Sequence, residues 1–250
     1  TIGRTATRFS DRNGAGTSGY LPIDFNSDGL RWRLAQVDSA ERSLDMLYYV
    51  WYDDLGGLLL LEHVIEAADR GVRVRVVVDD IIFLNGKQGL ANLDTHPNIE
   101  IRIFNPWASK GAARAFETVG KMKKLNHRMH NKLLIADGQM AILGGRNVGD
   151  HYFGLGHNFN FHDLDMIVLG DAASASSEIF DHFWNSDQVL PASAFVDDPS
   201  WDEINATRTE QLRRLRETGD LVDFPFDRRD WSEDFSALVD RMSSGTSTVE

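Results

Sequence analysis

Residues 130–147 read HNKLLIADGQMAILGGRN, and the rest of the chain is best read outward from them. Lys132 to Ala136 and Met140 to Leu143 are short apolar runs separated by Asp137-Gly138, a strong signal for a tight β-hairpin. Residues two apart on a strand point to the same side with Cα atoms roughly 7 Å apart, so His130 and Lys132 can reach one phosphate. An imidazole can attack phosphorus, while a lysine ammonium and the amide of Asn147 stabilise the equatorial oxygens as charge builds. His130, Lys132 and Asp137 form the candidate catalytic set, with Asp137 at the turn expected to be structural or to position the strand pair. Arising by chance from this composition, the whole spacing, with Gly145 and Asn147 included, has odds of roughly one in ten thousand.

Outward from the hairpin, the pattern is that of an α/β domain. Residues 1–27, rich in Gly, Ser, Thr and Arg, show no sustained period and are expected to form an irregular arm. Leu30, Leu34 and Val37 predict a helix from Asp28, its N-cap, to Arg42. Leu44 to Tyr52 reads as a buried strand, Gly57 to Arg70 as an amphipathic helix stopped by Gly71, and Val72 to Asp79 as a second strand. Strand, helix, strand is the βαβ unit. A short helix over 89–95 and a strand over 99–104 extend it into a parallel or mixed sheet covered by helices. A strand over 164–169 and a helix over 172–186 complete a domain of residues 28–190. Residues 191–250 are expected to form an acidic helical extension or connector, with helices over 201–217 and 232–242 and a disordered end over 243–250.

The 250 residues are 42% hydrophobic, carry a net charge of −12 and contain no cysteine. A disulfide framework and thiolate metal sites are thereby excluded. The net charge argues against charge-driven binding of nucleic acid or anionic lipid. Between Trp107 and Lys132, however, seven basic residues face one acid, Glu117, which favours an anionic group at that place. The longest apolar runs fall far short of the roughly 20 residues that span a bilayer. The chain begins at Thr1, which leaves room for an upstream signal or anchor.

At this point the residues resemble a known family. H-x-K-x-x-x-x-D followed by G-[GS]-x-N resembles the signature of the phospholipase D superfamily, and HNKLLIADGQMAILGGRNVGDHYFG resembles its bacterial cardiolipin synthase branch. The likeness extends to SAERSLDMLYYVWYDD, AADRGVRVRVVVDD, HPNIEIRIFNP, LNHRMHNK, DLDMIVLG and FDHFWNSD, covering residues 28 to about 187. The resemblance implies an α/β/α sandwich around a mixed, mostly parallel sheet. It also implies a phosphohistidine intermediate on His130, with the phosphate site at Lys132, Gly145 and Asn147 and an acidic residue, Asp163 or Asp165, near a catalytic imidazole. No cofactor or metal is called for. Such enzymes use two copies of the motif, and none of the other seven histidines here begins a second H-x-K. A partner half is therefore expected, from a missing carboxy-terminal part or a homodimer partner, because in-line displacement needs a second group to protonate the leaving oxygen.

The expected function is phosphatidyl transfer from a phospholipid such as phosphatidylglycerol to an alcohol or water, at a membrane surface and without nucleic acid. Against it stand a hydrolytic phospholipase D, a homodimeric nuclease of the same superfamily, and a non-catalytic lipid- or phosphate-binding fragment. The resemblance implies a bacterial protein that is membrane-associated, periplasmic or secreted; the sequence does not fix the compartment. Other residues read more plainly. His127 and His130 have metal-pair spacing only on a helix. His151, His157 and His162 read as loop residues, Asp79 and Asp80 as caps, and Tyr48, Tyr49, Trp51 and Tyr52 as core and pocket wall.

Overall fold

The computed structural model describes residues 1–82, 86–106, 128–218, 221 and 223–246. The basic residues Lys110, Arg114, Lys121, Lys123 and Lys124, together with Glu117 and His127, lie outside them. The helices are α1 (Ile2–Asn13), α2 (Asn26–Ser39), α3 (Leu55–Asp69), α4 (Gly86–Leu93), α5 (Asp150–Phe153), α6 (Asp171–Trp184), α7 (Trp201–Thr218) and α8 (Ser232–Arg241). The strands are β1 (Ser18–Ile23), β2 (Ser43–Val50), β3 (Arg73–Ile82), β4 (Ile99–Phe104), β5 (Leu133–Ala136), β6 (Met140–Gly144), β7 (Asp165–Gly170), β8 (Val189–Pro191) and β9 (Ser243–Gly245).

All nine strands join one sheet in the order β8-β4-β3-β2-β5-β6-β7-β1-β9. Its interior strands are buried on both sides, which is why β3, after Arg73 and Arg75, runs Val76, Val77, Val78 without polar alternation. On one face Leu44, Met46, Tyr48 and Val76 meet helices α2 and α3 in the main core. On the other, Leu47, Val77, Ile135 and Val168 meet Ala173, Phe180 and Trp184 of α6. This is the helix-sheet-helix sandwich expected, but the sheet is not mostly parallel. Among the ladders of the described residues, β2–β3 and β3–β4 pair in parallel and the six others are antiparallel. Parallel pairing requires a crossover, and α3 and α4 supply only two. From β5 onward the strands all pair antiparallel: β5 and β6 join through a tight turn, while β8 and β9 enter the sheet after helices α6 and α8.

The two ends of the chain correct the expected organisation. Residues 1–27 are not an irregular arm, because α1 buries Ile2, Thr5 and Phe9 along one side and β1 pairs with β7 from Ser18↔Gly170 to Ile23↔Asp165. Ile2, Thr5 and Phe9 do share one helical face, but the surrounding Gly, Ser, Thr and Arg mask it, and strand residues Gly19 and Pro22 disguise β1. Helix α2 begins two residues earlier than expected, with Phe25 at its N-cap and Asp28 in its first turn. At the far end, Ser243–Gly245 pairs with β1 instead of fraying. Leu215, Phe224, Trp231, Phe235 and Leu238 all enter the main core, so the acidic extension packs onto the domain and builds no core of its own.

Polar contacts fasten this extension. Arg208 on α7 makes two hydrogen bonds to Glu62 on α3, at 2.5 and 2.6 Å. Buried His63 places Nδ1 2.6 Å from Asp38 Oδ1 and Nε2 3.1 Å from the Pro225 carbonyl. Both neighbours are acceptors, so both ring nitrogens donate and the ring is an imidazolium. Burial opposes that charge, but Asp38 prevails and raises the His63 pKa above the ordinary 6.5. The pair's stabilisation is therefore complete below about pH 6.5 and fades as pH climbs through the folded value. The melting-temperature gap between the parent and His63→Gln is expected to narrow from pH 6 to pH 9; a constant gap would contradict the imidazolium assignment.

Candidate active site

His130 and Lys132 lie in the extended segment leading into β5, which starts at Leu133. The lysine is buried and the histidine exposed. Lys132 Nζ sits 3.0 Å from His130 Nδ1 and 2.6 Å from the His130 carbonyl oxygen. The lysine nitrogen and the imidazole are thereby held side by side. Burial pulls the Lys132 pKa below its usual value, with the Asp163 carboxylate opposing. The Tyr49 ring forms the adjoining wall, 4.8 Å from the imidazole and 5.3 Å from Lys132 Nζ between centres. Of the aromatic cluster on β2, only Tyr49 is seen against this pair; Tyr48 and Trp51 turn into the core, edge to face at 5.6 Å.

The segment is held from β3. Asp79, buried at the carboxyl end of that strand, accepts from Arg128 Nη1 at 3.0 Å and from the Met129 amide at 3.1 Å. The acid expected to cap the next segment thus anchors the backbone immediately before His130. Burial pushes its carboxyl pKa up and Arg128 pulls it back.

Asn147 arrives from the other side. Val148 bridges to the end of β2 through Tyr52 N–H to Val148 O, 2.9 Å, and Val148 N–H to Val50 O, 3.2 Å. Buried Asn147 then accepts from the Val50 amide at 3.1 Å and donates to the Tyr152 hydroxyl at 2.9 Å. An amide has two N–H donors, so one remains for an anion. Gly145 is required by close approach, since a Cβ there would lie 1.9 Å from Asp163 Oδ1.

Asp163 and Asp165 separate cleanly. Asp163 is the carboxylate whose charge acts on Lys132. Asp165 is fully buried, 2.9 Å from Arg33 Nη1 and 3.4 Å from Arg146 Nη1, and also accepts from the Arg146 amide. Its place among the phosphate-binding candidates is therefore corrected: its charge is committed to two buried guanidiniums. Arg146 in turn donates to the carbonyls of Ile23 and Asp24, tying the end of β1 to the Gly144–Asn147 loop. Sequence reasoning missed this network; its one local trace is Arg33, an arginine on the apolar face of α2 beside Leu30, Leu34 and Val37.

Asp137 is likewise removed from the chemistry. It sits at the opposite end of β5 from His130, in a turn where Asp137 and Gly138 have φ of 56° and 66°. Its carboxylate accepts from the amides of Glu41, Arg42 and Ser43 at 2.7 to 3.2 Å. Asp137→Ala is expected to cost about 1–2 kcal/mol in urea unfolding, as for loss of a capping carboxylate, while leaving the His130–Lys132 geometry intact. Of the histidines expected in loops, His151 lies in α5 instead. His151 stacks on Phe159 at 4.2 Å, and His162 is exposed, 3.4 Å from Asp24.

A family model described as cardiolipin synthase, PLD-like domain, matches residues 34–184, more than half the chain. The chain belongs to this phospholipase D family. Among phospholipase D relatives, cardiolipin synthase C of Escherichia coli strain K12 is 38% identical over 188 residues, covering 74% of this chain and 39% of that protein. The chain thus spans well under half the length of the curated relatives it matches. Two solved structures share the fold at low identity. Phosphatidylserine synthase of Haemophilus influenzae Rd KW20 has a TM-score of 0.53 at 13% identity, over 84% of this chain and 48% of that one. NucT from Helicobacter pylori has a TM-score of 0.51 at 15% identity, over 70% of this chain and 99% of that one.

Proposed function

We propose that this phospholipase D-family chain is one catalytic half of a phosphatidyltransferase resembling cardiolipin synthase. The observation that carries the reading is the 3.0 Å contact between Lys132 Nζ and His130 Nδ1. It sets the imidazole and the ammonium side by side, where both can reach one phosphorus centre. An arriving phosphodiester draws the ammonium to its own oxygens and releases the ring nitrogen. His130 then forms a nitrogen–phosphorus bond as the phosphorus–oxygen bond to the departing alcohol breaks. Lys132 and the free N–H of Asn147 hold the equatorial oxygens through that step. Asp163 offsets the positive charge that the phosphorylated imidazole and Lys132 then share.

The departing oxygen lies opposite the attacking nitrogen and takes its proton from a second group, supplied by a matching half. In the second step a hydroxyl attacks the phosphohistidine, its proton passes to the second group that protonated the departing oxygen in the first step, and His130 leaves as neutral imidazole. An alcohol gives transfer and water gives hydrolysis. Partner length supports the two-half reading, since the matched relatives are more than twice as long as the matched segment.

Incubation with phosphatidylglycerol, alkaline quench and peptide mass spectrometry test the scheme. A phosphatidyl adduct that is stable in base and lost in acid is expected on the peptide containing His130. An adduct on another residue, or turnover without any adduct on His130 under single-turnover conditions, would overturn it.

A further inference from the structure

Seven large apolar side chains are exposed among the described residues, and four of them gather beside the site: Phe25 (72%), Phe159 (54%), Phe161 (43%) and Leu164 (54%). Their contacts trace a path from the phosphate-binding candidates outward. Asn147 donates to the Tyr152 hydroxyl, and the Tyr152 ring lies 4.8 Å from Phe161, which meets Phe159 at 5.4 Å. The Asn26 side-chain amide donates to the Phe161 carbonyl at 2.6 Å, bringing the start of α2, with Phe25, alongside. The Leu164 carbonyl accepts from the Gly145 amide at 3.1 Å. The loop that presents these rings therefore borders the site directly.

Charge completes the pattern. From His151 to His162 the sequence contains no Asp, Glu, Lys or Arg. An uncharged loop with exposed rings enters the headgroup region without desolvating an ionised group. Aromatic side chains collect at that depth, and a lipid phosphodiester lies there too. Interfaces between proteins are enriched in arginine, and this loop has none. With a net charge of −12, the chain is not drawn to an anionic surface by its mean field, so local apolar contact has to do the attaching.

We propose that the uncharged loop of residues 154–162, with Leu164 and Phe25 beside it, is a lipid-contacting rim that seats the His130 site on a phospholipid surface. The proposal rests on the phosphatidyl-transfer reading for its choice of partner.

The absence of cysteine permits a direct test. Asn158→Cys carries a polarity-sensitive fluorophore at the tip of the loop. Ser174→Cys carries it on α6, which starts at the far end of β7 from the loop. With vesicles of phosphatidylcholine and phosphatidylglycerol, the label at 158 is expected to shift to the blue and to be quenched by brominated acyl chains, with the label at 174 unmoved. The shift should persist in 0.5 M salt, because screening weakens charge-driven attachment and leaves apolar contact in place. Phe159→Ser with Phe161→Ser should weaken vesicle partitioning at least fivefold; Phe159→Ser alone, whose ring only stacks on the surface, guards against a folding defect.

An unshifted label at 158, or partitioning unchanged in both serine variants, overturns the proposal. So does a shift that tracks dimer formation by light scattering and occurs without vesicles, which would make the loop a protein interface. His130→Ala must keep the blue shift. If it does while no adduct forms on His130 of the parent, the transfer chemistry fails and the lipid rim stands.

Discussion

On the phosphatidyl-transfer scheme proposed above, His130→Ala is expected to lower turnover by about 10⁴-fold or more, the scale seen when a covalent nucleophile is removed. The loss should fall on kcat, because the imidazole forms its bond only in the transition state, whereas Lys132 and Asn147 remain to bind the ground-state phosphate. The His130 side chain is exposed and meets Tyr49 and Lys132, so its truncation should leave the melting temperature within a degree or two. Steady-state kinetics with phosphatidylglycerol, read beside thermal unfolding, provide the check. Turnover within tenfold of the parent would remove His130 from the chemistry. A Lys132→Ala variant loses an oxyanion ligand but keeps the nucleophile, and a smaller drop of about 10²- to 10³-fold is expected.

Asp165→Ala is expected to be the most destabilising single change, at about 3–5 kcal/mol in denaturant unfolding, because it strands two buried guanidiniums. Arg33 makes its remaining bonds to the Tyr48 hydroxyl at 3.0 Å, the Gly29 carbonyl at 2.7 Å and the Arg146 carbonyl at 3.4 Å, and none carries the compensating charge. Burial works against the charge on Arg33, and Asp165 with Tyr48 keeps its pKa above the ordinary range; without the carboxylate the burial cost stands alone. Against a typical total of about 5–15 kcal/mol, such a loss threatens folding at growth temperature. Asp165→Asn, which keeps the shape and one acceptor, should lose less. A cost below about 1 kcal/mol for Asp165→Ala would show that the arginines find other partners. The change should also loosen the Gly144–Asn147 loop, since Arg146 links that loop to β1.

Local signals made much of this architecture legible. The strand over 99–104 alternates cleanly and was expected to the residue, and Asp137-Gly138 announced a turn that demands positive φ at both positions. His130 and Lys132 could be paired because two-residue spacing in an extended chain fixes their side. What could not be read depends on partners distant in sequence. Arg33 meets Asp165 across 132 residues, and Asp79 meets Met129 across 50. No periodicity encodes such pairings. The choice between Asp163 and Asp165 was open for the same reason: it turns on the close approach at Gly145 and on guanidiniums supplied from elsewhere. The sheet looked more parallel than it is because the βαβ pattern comes early, whereas the antiparallel strands are short and lie among loops. The ends were misjudged because α1 and β9 are stabilised by what they pack on, not by composition.

The seam of the sheet has a consequence for how such a protein can change. β5 lies between β2, the last of the parallel strands, and β6, its partner in the antiparallel hairpin. The outgoing ends of β2 and β3 and the incoming end of β5 therefore converge, bringing Tyr49, Asp79 and His130 to one place. Chain can be lengthened or exchanged between these ends without shifting any register in the sheet. New substrate preferences can thus be acquired by editing connections, while the reactive pair is inherited unaltered on a scaffold that does not need to be redesigned.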